Sequence, residues 1–451
     1  MNKTPKKQQP PFRHLQDIAE ELDKCAQCGE CRSVCPIFES LEWEKFSARG
    51  KVALTRSILS GQIELTPAYE KVVQNCLLCL ACVENCSSGV RMDHIILAAR
   101  NQLKEEKGLP FFQRMFHQLL LLKRGLIDFL AMGGSASQYL LFKRLPRKSG
   151  LKRRFPLPMV EKERYVPALV FRPFRKRMPR ENRSLESKRT ILFFTGCLVN
   201  YVNPHIGKAL VKVLNLFKTD VIIPKHQHCC GAPAEVGGDR ETVRALARKN
   251  LDTLFEGSFD IITVCASGGY MLKKIYPDFF TPEDHYYSKA LSVASRTYDI
   301  SEYLVNKIGL GEIKKHLKKP PADRITYHDP CHLARGQGVT KEPRQLLQAI
   351  FGELYVEMPM ADRCCGSGGT YGLTHRSTSV QILNKKTENI ISTGADIVTT
   401  GCPGCMIQLK DGLKRHDKDQ SVFHVIELIA RQLSYASDPK PQQKNFSSNK
   451  T

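Results

Sequence analysis

The chain has 451 residues, 42% of them hydrophobic, with a formal net charge of +23, 17 cysteines and one tryptophan. That apolar fraction excludes a disordered chain, and 30 Gly with 25 Pro are too few for a fibrous or low-complexity one, so a folded protein of about two to four domains is expected. The longest aliphatic stretch, Leu119 to Leu122, ends at Lys123 and Arg124, far short of the roughly 20 residues a membrane span needs. Met1 to Gln16 is polar and basic without an apolar core, so no secretory signal is expected and the cytosol is the expected compartment.

A reducing compartment turns clustered cysteines toward metal or redox chemistry rather than disulfides. After a polar tail over residues 1–19, a segment over 20–105 contains two identical C-x2-C-x2-C-x3-C runs: Cys25, Cys28, Cys31 and Cys35, then Cys76, Cys79, Cys82 and Cys86. Three thiolates at this spacing wrap one face of a cubane, and in two-cluster ferredoxins the fourth ligates the other cluster. The expected sets are therefore Cys25, Cys28, Cys31 and Cys86 for one 4Fe-4S cluster, and Cys76, Cys79, Cys82 and Cys35 for a second. A tetrahedral zinc site would use C-x2-C pairs instead. Pro36 follows Cys35 as the ferredoxin pattern prefers, whereas Ser87 follows Cys86. Between the runs, Ser47 to Lys51 opens a helix expected over Val52 to Leu59, a cationic start that would raise the potential of a neighbouring cluster, or simply be solvated.

Residues 106–187 read as a basic amphipathic helical linker. Residues 101–190 hold 22 Lys and Arg against seven Asp and Glu, a surplus of 15. Phe111, Phe112, Met115, Phe116, Leu119 and Leu120 recur at helical spacing, and a polybasic stretch follows at Lys143, Arg144, Arg147, Lys148, Lys152, Arg153 and Arg154. An apolar stripe beside such a run is the two-part signal for peripheral docking on an anionic membrane. Packing on the cluster domain and docking to an acidic partner are the alternatives, and no motif for reading nucleic acid accompanies the charge.

The rest is a duplication, over 188–318 and 319–435, before a polar tail at 436–451 expected to be disordered. Cys197, Cys229, Cys230 and Cys265 recur as Cys331, Cys364, Cys365 and Cys402 at nearly constant offset, and the second copy adds Cys405 where the first has Gly268. Short apolar runs precede the cysteines: Ile191 to Phe194, Val221 to Ile223 and Ile261 to Val264, then Ile325 to Tyr327, Leu354 to Met358 and Ile397 to Thr400. Helical patterns at Ile206 to Phe217 and Thr242 to Leu254 alternate with them, so each copy should form a largely parallel sheet with thiols at the carboxyl ends of its strands. The overall class is α+β and multidomain, a helical two-cluster ferredoxin-like domain followed by a duplicated α/β Cys-Cys-Gly domain. Neighbouring thiolates can share iron, and Gly231 and Gly366 would let backbone approach an inorganic core. Five thiols in the second copy make a metal site there; the four in the first would suffice for a cubane or zinc, or form degenerate scaffold. His226, His228, His328 and His332 flank the cysteines, and a hydrogen-bonded supporting role is expected of them.

These features together resemble the iron-sulfur subunits of glycolate oxidase and the related lactate-utilisation proteins, with heterodisulfide reductase catalytic subunits as more distant relatives. The resemblance is sharpest at Cys76 through Val90, His328 to His332, Arg363 to Thr370 and Thr400 to Cys405. It implies two 4Fe-4S clusters in the ferredoxin-like part and a noncubane cluster on Cys331, Cys364, Cys365, Cys402 and Cys405. It also implies an FAD-binding hydroxyacid oxidase partner, quinone as acceptor, and a place on the inner face of the membrane. No glycine fingerprint for a nucleotide follows a strand, so the hydroxyacid chemistry is expected on the partner. Two alternatives remain. The chain could be a heterodisulfide-reductase-like enzyme that reduces a disulfide at the second Cys-Cys-Gly site, a chemistry that the absent thiol at Gly268 puts in doubt only for a two-site mechanism. Or the Cys-Cys-Gly half could be a zinc-bound docking module.

Overall fold

The computed structural model describes residues 14–144, 150–155, 164–318 and 322–435. Most of the first tail, Arg147 and Lys148 of the polybasic stretch, and the final tail lie outside the described residues. The first segment is helical throughout. Its main helices are α1 (Ala48–Leu59), capped by the Ser47 hydroxyl accepting the Gly50 N–H at 3.0 Å, and α2 (Met92–Lys107). Leu15, Ile18 and Leu22 pack with Val52, Tyr69, Ile95 and Ile96 into a small core. Next come α3 (Arg124–Leu141) and a hairpin of β1 (Phe142–Arg144) and β2 (Leu151–Arg153). The described side chains around the apolar stripe that precedes α3 divide between two environments. Phe116, Leu121 and Leu122 pack against the first Cys-Cys-Gly unit, while Phe111 and Met115 stay exposed.

That unit is a five-stranded sheet built from β3 (Glu181–Asn182), β4 (Arg189–Phe194), β5 (Thr219–Ile222), β6 (Asp260–Thr263) and β7 (Thr297–Asp299). Its order is β3-β5-β4-β6-β7, parallel except for β3. The second unit has β8 (Ile325–His328), β9 (Tyr355–Val356), β10 (Ile397–Thr400) and β11 (Ser421–His424) in the all-parallel order β11-β10-β8-β9. Reversed, that order is β9-β8-β10-β11, the counterpart of β5-β4-β6-β7, so the duplication seen in the cysteine offsets is also one of topology. The central strands are continuous apolar runs because both faces are covered. One core joins the units, with Ile191, Phe193 and Ile262 packed into the same cluster as Ile325, Tyr327 and Val398. A second apolar seam, Ile37, Phe46, Val72 and Leu77 against Tyr371 and Ile382, fastens the helical segment to the second unit.

Candidate metal sites

The two ferredoxin-type runs share a backbone device. Gln27 and Leu78, two residues past Cys25 and Cys76, have φ of 55° and 52°, and Gly29 and Leu80, two residues further on, have 95° and 64°. Left-handed residues between thiols turn consecutive N–H groups to one side of the loop, a concavity suited to an anion. Leucine is strained in that conformation, which marks the loop as functionally constrained. One cavity is lined by Cys25, Cys28, Cys31 and Cys86, the other by Cys35, Cys76, Cys79 and Cys82. Each run thus lends its last cysteine to the other's cavity, and Cys82 borders both. The exchanged thiols are held by backbone, Cys35 Sγ accepting the Phe38 N–H at 3.4 Å and Cys86 Sγ the Val90 N–H at 3.3 Å. Ser87 leaves that turn intact. The cationic start of α1 is shared as well: Arg49 lines the first cavity and buried Lys51 the second.

At the second Cys-Cys-Gly unit the thiols form a run of contacts: Cys331 to Cys364, Cys364 to Cys365, Cys365 to Cys405 and Cys405 to Cys402. The imidazole of His328 lies with Cys365 and Cys405 so that their ligand atoms are all within 4.8 Å of one another. Both its ring nitrogens are buried without a hydrogen-bond partner, and burial lowers its pKa to about 3. It is therefore a neutral imidazole beside the thiols of Cys365 and Cys405. Burial and neighbouring thiols push Cys331 and Cys405 well above the usual thiol range, so without a metal these groups stay protonated. An uncoordinated buried imidazole and five buried or half-buried thiols fit a bound metal cluster better than they fit an apolar core. At Gly366, φ is +82° and a Cβ would stand 2.8 Å from the Ser379 carbonyl oxygen, so the close approach is to the helix Arg376–Ser392.

In the first unit Cys197 meets Cys229 and Cys229 meets Cys230. His228, Arg124, Arg175 and Tyr201 line a cavity with Cys197 and Cys229. Cys265 is not confined to this group: its thiol hydrogen-bonds with that of Cys402 in the second unit and also faces Cys230. Of the helices that follow, α4 (Arg240–Leu254), α5 (Ala266–Tyr270), α6 (Cys331–Gln337), α7 (Arg376–Ser392) and α8 (Pro403–Arg415), α5 and α6 pack on each other across the two halves. On α6, Gln337 donates to the Ala266 carbonyl at 2.9 Å and His332 stacks on Tyr270 with centroids 4.8 Å apart. His332 Nε2–H donates to the Leu78 carbonyl at 3.0 Å and its Nδ1 meets the Ser267 hydroxyl at 3.2 Å. It pins three segments together and does not face the thiols. His226 is exposed.

Sequence reasoning missed the arginines that close these sites. Arg335, one helical turn past Cys331, bonds Glu84 at 2.9 Å and Asp362, which ties the helical segment to the second unit beside Cys79 and Cys331. Its spacing from Cys331 was the available signal. Cys79 lies in the same apolar seam as Cys364 and Cys331, so the thiol groups follow one another from the ferredoxin-type cavities through the second unit to the first.

Two crossed thiol loops abutting a duplicated thiol-rich α/β unit define an iron-sulfur oxidoreductase component. Residues 21–90 match the 4Fe-4S dicluster domain, and residues 191–273 and 325–410 each match the cysteine-rich domain. The chain is 30% identical over 430 residues to the probable glycolate oxidase iron-sulfur subunit of Bacillus subtilis (strain 168), covering 93% of this chain and 95% of that one. It is 32% identical over 244 residues to lactate utilization protein A 2 of Bacillus cereus (strain Q1), 54% of this chain and 99% of the relative. A fumarate reductase (CoM/CoB) component of Methanothermobacter marburgensis is 40% identical over 247 residues, 54% of this chain and 46% of the relative. The chain belongs to the family of glycolate oxidase iron-sulfur subunits and lactate-utilisation iron-sulfur proteins. Among the described residues no helix is long and apolar enough to cross a membrane.

Proposed function

We propose that this chain is the electron-transfer subunit of a glycolate or D-lactate oxidoreductase complex, accepting electrons from an FAD-binding partner subunit and delivering them to membrane quinone. Cys25, Cys28, Cys31 and Cys86 hold one 4Fe-4S cluster, and Cys76, Cys79, Cys82 and Cys35 the second. Cys331, Cys364, Cys365, Cys402 and Cys405, with His328 beside them, hold a further iron-sulfur cluster, and Cys197, Cys229, Cys230 and Cys265 bind metal in the first unit. Once bound, such clusters supply single-electron carriage between a two-electron hydroxyacid oxidation and quinone. The protein's part is to fix their order and exclude water. The observation that carries this reading is the succession of thiol groups, with Cys79 and Cys364 in one apolar seam at one junction and Cys402 hydrogen-bonded to Cys265 at the other.

A second reading is favoured by the complete five-thiol set and by the fumarate reductase (CoM/CoB) relative: reduction of a disulfide at the second unit. The native complex, isolated without oxygen, separates the two. Bleaching of its iron-sulfur absorbance by glycolate or D-lactate supports the transfer role and names the substrate. Turnover of a disulfide with a reduced donor, and no bleaching by either acid, replaces it with the second reading.

A further inference from the structure

Helix α3 is built inside out. Its inward positions are Asp128, Ala131, Ser135 and Gln138, three of them polar and each bonded. Asp128 accepts the Tyr201 hydroxyl at 2.8 Å, Ser135 and Gln138 donate to the Leu169 carbonyl at 2.9 and 3.0 Å, and Gln138 accepts the Leu169 N–H at 3.0 Å. The outward face carries Phe129, Leu130, Leu140 and Leu141, with exposed Gly133 and Ala136 between them, and Phe129 is 71% and Leu140 73% exposed. No charge other than the inward Asp128 occurs between Arg124 and Lys143. A helix on a water-facing surface has the opposite pattern, and a contiguous exposed apolar face marks a binding surface.

What covers it is indicated by its rim. Exposed Lys123 precedes the helix, and exposed Lys143 and Arg154 stand at its far end, where the Arg154 N–H caps the Leu141 carbonyl at 2.9 Å. Lys176 lies along its middle, its ammonium 3.8 Å from Met132 Sδ. Phe155 extends the apolar face beyond the hairpin. Cations ringing an apolar strip match anionic headgroups above acyl chains, and α3, at 18 residues, is too short and not apolar enough to span. We infer that α3 is the element that seats this protein on an anionic phospholipid surface. The placement has a functional sense that rests on the quinone-delivering reading: Arg124 and Ile127, in the first turn of α3, line the cavity at Cys197 and Cys229, so the terminal thiol site lies under the lipid-facing helix.

The test uses the full chain, purified without oxygen, and flotation with vesicles of equal parts phosphatidylcholine and phosphatidylglycerol, against vesicles of phosphatidylcholine alone. Wild type should float with the anionic vesicles and be released by salt. The double variant F129D/L140D should lower the bound fraction at least ~10-fold, while L185D, at another fully exposed leucine, should leave it unchanged. Equal iron content and melting temperature in all three proteins would show that folding is not at issue. Failure of wild type to float, or equal binding by F129D/L140D, overturns the inference. So does a vesicle-free dimer that F129D/L140D converts to monomer, which would make the face a contact between copies. Flotation involves no redox partner and the bleaching experiment no vesicles, so each can fail alone.

Discussion

Arg100 offers the most exacting check on how the ferredoxin-type segment is held. Its side chain is 1% exposed on α2. Nη2 donates to the carbonyls of Val73, Gln74 and Cys76 at 3.0, 3.1 and 2.7 Å, and Nη1 to that of Val236 in the first Cys-Cys-Gly unit at 2.8 Å. The fit behind it is tight, since a Cβ at Gly238 would stand 2.6 Å from the Arg100 carbonyl carbon. Substituting methionine strands four buried acceptors, at roughly 1 to 2 kcal/mol each. Removing a desolvated guanidinium returns part of that cost, and burial does lower the Arg100 pKa. The net loss should be about 4 kcal/mol, with a melting temperature lower by about 8 °C. Because the Cys76 carbonyl is among the four, iron should also be lost, close to half of the ferredoxin-type complement if one of two clusters leaves. R100K should fall between, an ammonium lacking the fork that reaches several carbonyls. Thermal unfolding and iron assay of anaerobically purified R100M give the answer. A melting temperature within about 1 °C of wild type, with full iron, would refute the reasoning that this guanidinium carries the junction.

Restoring the fifth thiol of the first unit should be tolerated. A Cβ at Gly268 meets nothing nearer than Cys265 Cβ at 3.5 Å, so G268C should alter stability by less than about 0.5 kcal/mol and raise the iron content or change the cluster spectrum; neither change would mean that the first unit binds no metal. A pH dependence is expected from Asp278, which burial raises to about 6 against the opposing pull of Arg91 and Arg240. Its folded-state value lies above the unfolded one near about 4, so the folded protein holds the extra proton and stability should fall as pH rises through that window. D278N should flatten the slope of the urea midpoint between about pH 4.5 and 6, and an unchanged slope would assign it to other groups.

The thiol loops and the duplication could be read from sequence because ligand spacing is local and each strong apolar run precedes a cysteine. The order of strands could be inferred only as far as strong apolar runs reached, so two-residue β3, three-residue β7 and the mixed Ser421–His424 strand went unseen. Periodicity identifies two faces of a helix, not which one turns inward. That is why α3, whose polar residues find partners at Leu169 and Tyr201, gave no signal. The contact of Cys265 with Cys402 and the reach of Arg335 to Glu84 are products of how two halves face each other, which no single stretch of chain encodes. His328 is a similar case: its position beside Cys331 was visible, but its approach to Cys365 and Cys405 comes from the end of β8 meeting the Cys-Cys-Gly loop.

The crossing of cysteines between the two ferredoxin-type cavities also sets a timetable for biosynthesis. As the chain leaves the ribosome, Cys25, Cys28 and Cys31 emerge long before Cys86 closes their cavity, and the second unit's thiols are not complete until Cys405 has been made. Neither ferredoxin-type cavity can close before Cys86 has been made, so filling of either site would wait for the whole stretch from Cys25 to Cys86. Before iron binds, Cys265 and Cys402 touch as bare thiols, and oxygen arriving ahead of iron would stitch the two halves together at that point.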